Sequence, residues 1–133
     1  AAAEAGMIYE ATLETVECTV SGFIHGDKEM AFRIDPLADV ISRVKKEIRK
    51  NHSRRLEKGE CSVELGMALT DMVTSLERIA KHCSNIAEAQ TASETAQHAL
   101  HQYGRNVKAR DEVYKELVER YTEKYSLKKL EET

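Results

Sequence analysis

The sequence predicts an all-α protein, an antiparallel up-down helical bundle of three long helices plus a C-terminal helix. Three observations carry this prediction. The 133 residues include one proline and six glycines, so long segments lack helix-breaking residues. There is no tryptophan and there are only two phenylalanines, so the core must be aliphatic, which suits helix packing better than aromatic-rich strands. Apolar residues also recur at spacings of three and four.

The first helix is predicted over residues 2–23, where one side is apolar and the other is acidic. The acidic side consists of Glu4, Glu10, Glu14 and Glu17. Gly22 and Gly26 are predicted to end the helix, because glycine readily adopts the left-handed conformation that follows many helices.

The second helix is predicted over residues 27–58, with a kink near Pro36. Asp27 is expected to cap a short first turn. Asp35 is expected to be a second N-cap, because proline is favoured at the first position of a helix. Gly59 ends the segment.

The third helix is predicted to begin at Ser62, as N-cap, and to run to about Tyr103, where Gly104 ends it. Its apolar seam has alternating spacings of four and three, which is typical of helices that pack lengthwise. The seam consists of Leu65, Leu69, Met72, Leu76, Ile79, Cys83 and Ile86. Cys83, inside this seam, is expected to be a buried and inert thiol.

The fourth helix is predicted from Asn106, with tyrosines and aliphatic residues on one side. The short links between helices predict antiparallel neighbours. Residues 1–133 are long enough for one core and are predicted to form a single domain.

Composition argues against several classes of protein. The net charge of −3 gives no general reason to expect nucleic acid as a partner. Cys18, Cys61 and Cys83 are an odd set without C-x-x-C spacing, so they predict reduced thiols and no disulfide framework or zinc knuckle. No apolar run approaches the roughly 18 to 20 residues that span a bilayer.

Residues 43–58 form a strongly basic segment, with eight Lys or Arg against two Glu. The simplest interpretation is a solvated helix face. The alternative is a surface that meets anionic lipid headgroups. No aromatic residue interleaves these charges, which argues against nucleic acid.

A polar stripe lies beside the seam of the third helix, at the same spacing. It consists of Asp71, Ser75, Arg78, His82 and Asn85. The stripe is expected at the boundary of the bundle, with an ion pair between Asp71 and Arg78. His52 and His82 are interpreted as structural histidines. No G-x-S-x-G sequence or glycine-rich phosphate loop is present, so enzyme activity is not expected.

Three stretches together resemble a known family. They are LERIAKHCSNIAEA at 76–89, RRLEKGECSVELG at 54–66 and EVYKELVERYTEKYSL at 112–127. The combination is similar to the PhoU-like domain at the cytosolic C-terminus of bacterial sodium/phosphate cotransporters. That resemblance implies a PhoU-like antiparallel bundle built from three-helix units.

The resemblance also implies where metal ions would bind. PhoU-like domains commonly carry E-x-x-x-D motifs, whose two carboxylates lie one helical turn apart and can share metal ions. The matching positions here are Glu77 and Lys81, and Ala38 and Ser42. Both motifs are broken, so no multinuclear metal cluster and no cofactor are expected. A Glu77–Lys81 ion pair of about 0.2–0.5 kcal/mol is expected instead.

Weaker candidates for a metal site remain, namely Asp71, Glu77, His82, Asp35 and Asp39. Asp35 and Asp39 are one turn apart, but an N-cap and a first-turn acid account for them. Asp71 is expected to approach Glu77 or His82 from the neighbouring turn.

The resemblance implies a non-catalytic regulatory or accessory domain of a sodium-coupled phosphate transporter. Its partners would be the transmembrane part of the same polypeptide and another cytosolic protein. The chain would then be a cytoplasmic domain cut from a longer inner (plasma) membrane protein. The alternative is a free-standing PhoU-like phosphate-signalling adaptor that works through protein–protein contacts. A third class, a carboxylate-metal hydrolase or redox bundle, requires ligand pairs that the broken motifs lack.

Overall fold

The computed structural model describes the backbone of residues 1–98 and 103–131, and the side chains of residues 1–90 and 111–131. The described residues form helices joined by short turns, with no strand. Its helices are α1 (Ala2–His25), α2 (Lys28–Phe32), α3 (Ile34–Glu57), α4 (Val63–His98) and α5 (Tyr103–Lys124), followed by a short 3-10 helix (Leu127–Leu130). The all-α prediction is confirmed.

Most predicted helix ends are confirmed by capping groups. Gly26 and Gly59 have φ of 61° and 69°, in the left-handed region where glycine is unstrained. Asp27 Oδ1 accepts hydrogen bonds from the backbone N–H groups of Glu29 and Met30, at 3.1 and 3.2 Å. Ser62 Oγ accepts from the N–H of Leu65 at 3.2 Å, as an N-cap should.

The predicted second helix is in fact two helices. Arg33 separates α2 from α3 and is itself the N-cap position of α3. The prediction that Asp35 is an N-cap is therefore wrong. Asp35 and Pro36 lie inside the first turn of α3. The first four N–H groups of a helix have no partner within it, so proline, which lacks an N–H group, is tolerated there.

α3 packs antiparallel to both α1 and α4. Glu4, at the start of α1, bonds Asn51 and Arg55 near the end of α3. Asp35, at the start of α3, accepts a hydrogen bond from Ser84 on α4. Because α3 runs antiparallel to both neighbours, α1 and α4 run parallel to each other, and they also pack together.

The predicted seam of α4 is wrong in its orientation. Of its seven residues only Cys83 is buried. Leu69 and Leu76 are half-buried and the other four are exposed. The buried row lies one residue later and consists of Gly66, Val73, Ala80 and Ala87. These small side chains let α4 approach α1 and α3 closely, and the larger ones turn outward.

The core between α1, α3 and α4 is aliphatic, as the composition predicts. Its fully buried members include Ile8, Ile34, Leu37, Ile41, Ile48 and Val73. Three buried threonines of α1 also face it. The hydroxyl groups of Thr12, Thr15 and Thr19 each donate to the carbonyl oxygen four residues earlier, at 2.7–2.8 Å, so none is left unpaired.

The C-terminal helix begins earlier than predicted. α5 starts at Tyr103, so Gly104 lies in its first turn and does not end the preceding helix. Residues 99–102, over which the third helix was expected to continue, lie outside the described residues. α5 packs mainly against α3. Its last residue, Lys124, and the following Tyr125 both bond Glu14 of α1.

Candidate functional site

The two motif positions of the resemblance meet where α3 packs on α4. Glu77, on α4, is buried. Its Oε1 accepts a hydrogen bond from the hydroxyl of Ser42 at 2.9 Å, and its Oε2 lies 2.5 Å from Lys45 Nζ. Lys81 Nζ lies 3.6 Å from Oε1. We call Ser42, Lys45, Glu77 and Lys81 the Glu77 cluster.

The charge of Glu77 is stabilised inside the protein. Burial by itself raises the pKa of this carboxyl group, but hydrogen bonds from Lys45 and Ser42 and the charges of Lys45 and Lys81 outweigh it. The net result is a pKa below the ordinary value of 4.5. Glu77 is therefore a carboxylate at neutral pH.

The Glu77 cluster does not fit a metal ion. A bound cation needs several oxygen ligands, and the cluster offers one carboxylate that two ammonium groups already contact. Ala38, the other motif position, is a buried methyl group. The arrangement is a buried ion pair with a second lysine at its edge.

The expected Glu77–Lys81 pair is present. The stronger partner of Glu77 is Lys45, which was not predicted. Lys45 is 15% exposed and Lys81 is 64% exposed, so solvent screens the second pair much more. A sequence signal for Lys45 exists. It lies one residue after Val44 and three after Ser42, so it borders the buried side of α3.

Asp35 and Asp39 lie one turn apart on α3, as expected, but each carboxylate has its own donors. Asp35 Oδ1 accepts from the hydroxyl of Ser84. Asp39 Oδ2 lies 3.4 Å from Arg43 Nη2 and accepts from the hydroxyl of Tyr114 at 3.3 Å. These contacts join α3 to α4 and α5.

The remaining candidates are not brought together. Asp71 and His82 are both exposed, and Glu77 is buried on another side of α4. Asp71 and His82 are eleven positions apart, which is about 16 Å along a helix. Among the side chains of residues 1–90 and 111–131, no three from His, Cys, Asp or Glu are close enough to hold a metal ion.

The polar stripe of α4 is not at the bundle boundary. All five of its residues are exposed, and the expected ion pair between Asp71 and Arg78 is not formed. The prediction is wrong because the whole helix is rotated relative to the expected seam. The large apolar residues lie between this stripe and the buried face.

His52 is a packing residue, as interpreted. Its Nδ1 lies 3.6 Å from Cys61 Sγ. The other edge of the ring lies directly over Gly66, where an added β-carbon would be 1.9 Å from Nε2. This histidine joins the end of α3, the α3–α4 turn and the first turns of α4.

The basic segment 43–58 divides between interior and surface. Lys45 pairs with Glu77, and Arg55 pairs with Glu4 at 2.9 Å. Lys46, Arg49, Lys50, Arg54 and Lys58 are exposed. The acidic side of α1 therefore supplies one partner, and the outer part remains a solvated cationic face.

A second buried carboxylate was not predicted. Glu4 accepts hydrogen bonds from Asn51 at 2.8 Å and from Arg55 at 2.9 Å. Burial raises the pKa of Glu4, but these donors outweigh it and leave the pKa below 4.5. Glu4 lies four residues before the buried Ile8, and this spacing places it on the inner side of α1.

Comparison with known proteins shows which family the chain resembles. The family model described as PhoU domain matches residues 8–90, which run from α1 into α4. A curated relative, the phosphate-specific transport system accessory protein PhoU homolog 1 of Thermotoga maritima, is 31% identical over 88 residues. That alignment covers 66% of this chain and 38% of the relative. No solved structure matches significantly. No described helix is long and apolar enough to cross a membrane.

Proposed function

Because the chain belongs to the PhoU domain family, we propose that it is a non-catalytic regulator of phosphate uptake that acts through protein–protein contacts. The observation that carries the proposal is the family match over residues 8–90. The Thermotoga relative is named as an accessory protein of a phosphate-specific transport system. The chain spans 38% of that relative, so its partners and their arrangement are part of the proposal.

Two features support contact rather than chemistry. The carboxylate of Glu77, at the position of the family motif, has its charge neutralised by lysines of the same chain. α1 and α4 also expose several large apolar residues, which is typical of surfaces that meet another protein.

The proposal is tested by deleting the coding region of residues 1–133 in the native host. We expect phosphate-replete cells without it to take up phosphate, or to express their phosphate-starvation genes, at an altered rate. Restoring the wild-type chain should restore regulation. Cells that show unchanged uptake and unchanged starvation response would contradict the proposal.

A narrower candidate is a cytoplasmic domain attached to a sodium-coupled phosphate transporter. The resemblance of segments 54–66, 76–89 and 112–127 to such domains favours it. The exposed cations of segment 43–58 are compatible with an anionic inner membrane surface.

The two candidates are separated by reading the gene upstream of the codon for Ala1. Repeated apolar runs of about 20 residues would support the attached domain. Sodium-dependent phosphate uptake with and without residues 1–133 would then measure its effect. A start codon or another soluble helical unit would support the free-standing adaptor and exclude the attached domain.

A further inference from the structure

The turn between α3 and α4 brings a cysteine into direct contact with a histidine. Cys61 Sγ lies 3.6 Å from His52 Nδ1, a separation that suits a hydrogen bond to the large sulfur atom, and 3.9 Å from the carbonyl oxygen of His52. Either atom can accept the proton of the thiol, but only the imidazole nitrogen is basic enough to remove it. The proposed function uses neither side chain.

Cys61 differs from the other two cysteines of the chain in its access to solvent. Cys18 and Cys83 are buried in the core, and burial raises the pKa of the Cys18 thiol. Cys61 is only half-buried, and its chain neighbours Glu60 and Ser62 are exposed. A small reagent can therefore reach Cys61 in the folded protein, whereas the core shields the other two thiols.

His52 is confined on the edge of its ring that points away from the thiol. A β-carbon added to Gly66 would lie 1.9 Å from His52 Nε2, so the ring fills the space between the thiol and the backbone of α4. A group attached to Cys61 Sγ would press on the near edge of this ring, and little room lies behind it. Chemistry at Cys61 is therefore linked to the packing of α3 on α4.

We propose that Cys61 is a nucleophilic modification site for low-molecular-weight disulfides, with His52 as the base that takes the thiol proton. A thiol in contact with an imidazole is an arrangement that activates cysteine for attack. The exposed turn gives such a reagent access, and the contact of His52 with Gly66 keeps the imidazole beside the sulfur. The inference is independent of the proposed function.

The reaction is a thiol–disulfide exchange, which needs no oxidant besides the reagent itself. The S–H proton of Cys61 passes to His52 Nδ1, and the sulfur attacks one sulfur atom of the reagent. A new S–S bond to Cys61 forms as the S–S bond of the reagent breaks, so the Cys61 sulfur is oxidised and the departing sulfur is reduced. His52 returns the proton to the departing thiolate, which leaves as a free thiol.

Mass spectrometry of the folded 133-residue chain after incubation with oxidised glutathione tests the site. We expect one glutathione on each chain, mapped to Cys61 by proteolysis and removed by dithiothreitol. Cys18 and Cys83 should react only after the chain is unfolded in urea. A folded wild-type chain that acquires no adduct at Cys61 would overturn the proposal.

The role of His52 is measured by the rate of reaction with an aromatic disulfide whose released thiolate absorbs visible light. His52→Ala removes the base but also uncovers Cys61, so better access alone predicts a faster reaction, whereas loss of the base predicts a slower one. We expect a rate about tenfold or more below that of the wild type. His52→Gln, which keeps most of the side-chain volume, should be slow as well. If either folded variant reacts as fast as the wild type, His52 is not the base.

Glu60→Cys in a Cys61→Ser background is the matched control, because it places an exposed thiol in the same turn at the neighbouring position. Its rate should not change when His52→Ala is added. A control that slows as much as Cys61 does would overturn the assignment of His52, since the effect would then belong to the whole turn.

The link to helix packing has a separate readout. The mixed disulfide at Cys61 should lower the melting temperature of the wild-type chain, because the added group presses His52 toward Gly66, and dithiothreitol should restore it. An adduct that leaves the melting temperature unchanged would overturn this link.

Discussion

At the scale of the residue, the Glu77 cluster offers an internal comparison between two lysines that contact one carboxylate. Lys45→Met leaves the buried Glu77 with its main cation removed, and we expect it to lower the free energy of unfolding by about 2–4 kcal/mol. Lys81→Met removes a largely exposed partner and should cost less than about 0.5 kcal/mol. Urea unfolding of both variants measures the difference.

Similar costs for the two lysine variants would contradict the description of Glu77 as a buried ion pair with Lys45. Circular dichroism before unfolding verifies that each variant keeps its helix content. If only Lys45→Met lowers the free energy of unfolding, the residue at position 81 has little effect on stability. This would agree with the place of Lys81 at the exposed edge of the Glu77 cluster.

The sequence could predict the Glu77–Lys81 pair because the two residues are one turn apart on the same helix. It places Lys45 beside the buried side of α3, but it could not predict the contact with Glu77, because that contact depends on the relative rotation of α3 and α4. The start of α3 was also beyond the sequence pattern. Asp followed by Pro is typical of an N-cap and the first helical position, but in the structure α3 begins two residues earlier, with Arg33 as its N-cap.

At the scale of the element, the close approach of α3 and α4 at His52 depends on Gly66. Gly66→Ala should destabilise the protein by about 1–3 kcal/mol, because the new methyl group overlaps the imidazole ring of His52. In a His52→Ala background the same substitution should stabilise α4, since alanine favours helix by about 1 kcal/mol over glycine. Thermal unfolding of the wild type, the two single variants and the double variant completes the cycle.

Gly6→Ala is the control for helix propensity alone, because nothing lies within 4 Å of a β-carbon added there. It should stabilise α1 by about 0.5–1 kcal/mol. If Gly66→Ala stabilises the protein as Gly6→Ala does, the ring of His52 moves aside at little cost, and the close approach of α3 and α4 does not depend on Gly66.

The apolar pattern of α4 predicts that the segment is helical, but it does not predict which side of the helix is buried. Spacing of three and four predicted that α4 is a helix, and that is confirmed. Two adjacent rows satisfy the same spacing, one of large residues and one built on Gly66, Val73, Ala80 and Ala87. Size alone favours burying the large row. Close approach between helices favours burying the row of small residues. How closely the helices approach depends on α1, α3 and α4 together, so the pattern of α4 alone cannot decide it.

At the scale of the whole molecule, two buried carboxylates hold α3 to α1 and to α4. Glu4 and Glu77 each have a pKa below 4.5 in the folded chain. A lowered folded pKa means that their contribution is present above pH 4.5 and is lost as the pH falls through the folded pKa. We therefore expect the melting temperature to fall steeply in acid.

The double variant Glu4→Gln/Glu77→Gln should melt lower at neutral pH and show a flatter dependence on acid. Glu47→Gln, on the exposed side of α3, should keep the wild-type profile. Thermal unfolding followed by circular dichroism from neutral pH down to about pH 3 gives both curves. A double variant with the wild-type acid slope would show that other groups control the transition.

The bundle as a whole was predictable because helices, turns and the resemblance to PhoU-like domains agree with one another. The position of α5 was not. A short link predicts packing against the preceding helix, yet α5 packs mainly against α3, where Tyr114 bonds Asp39. Such docking depends on which surface the first four helices leave open.

The threonines of α1 have a mechanical consequence. Because Thr12, Thr15 and Thr19 donate to carbonyl groups of their own helix, a small axial slide of α1 along its neighbours breaks none of these three hydrogen bonds. Resistance to that shear comes from interlocking side chains and from the ion pairs of Glu4 with Arg55 and Glu14 with Lys124. The charged groups thus add to side-chain packing in fixing the register of α1 against its neighbours.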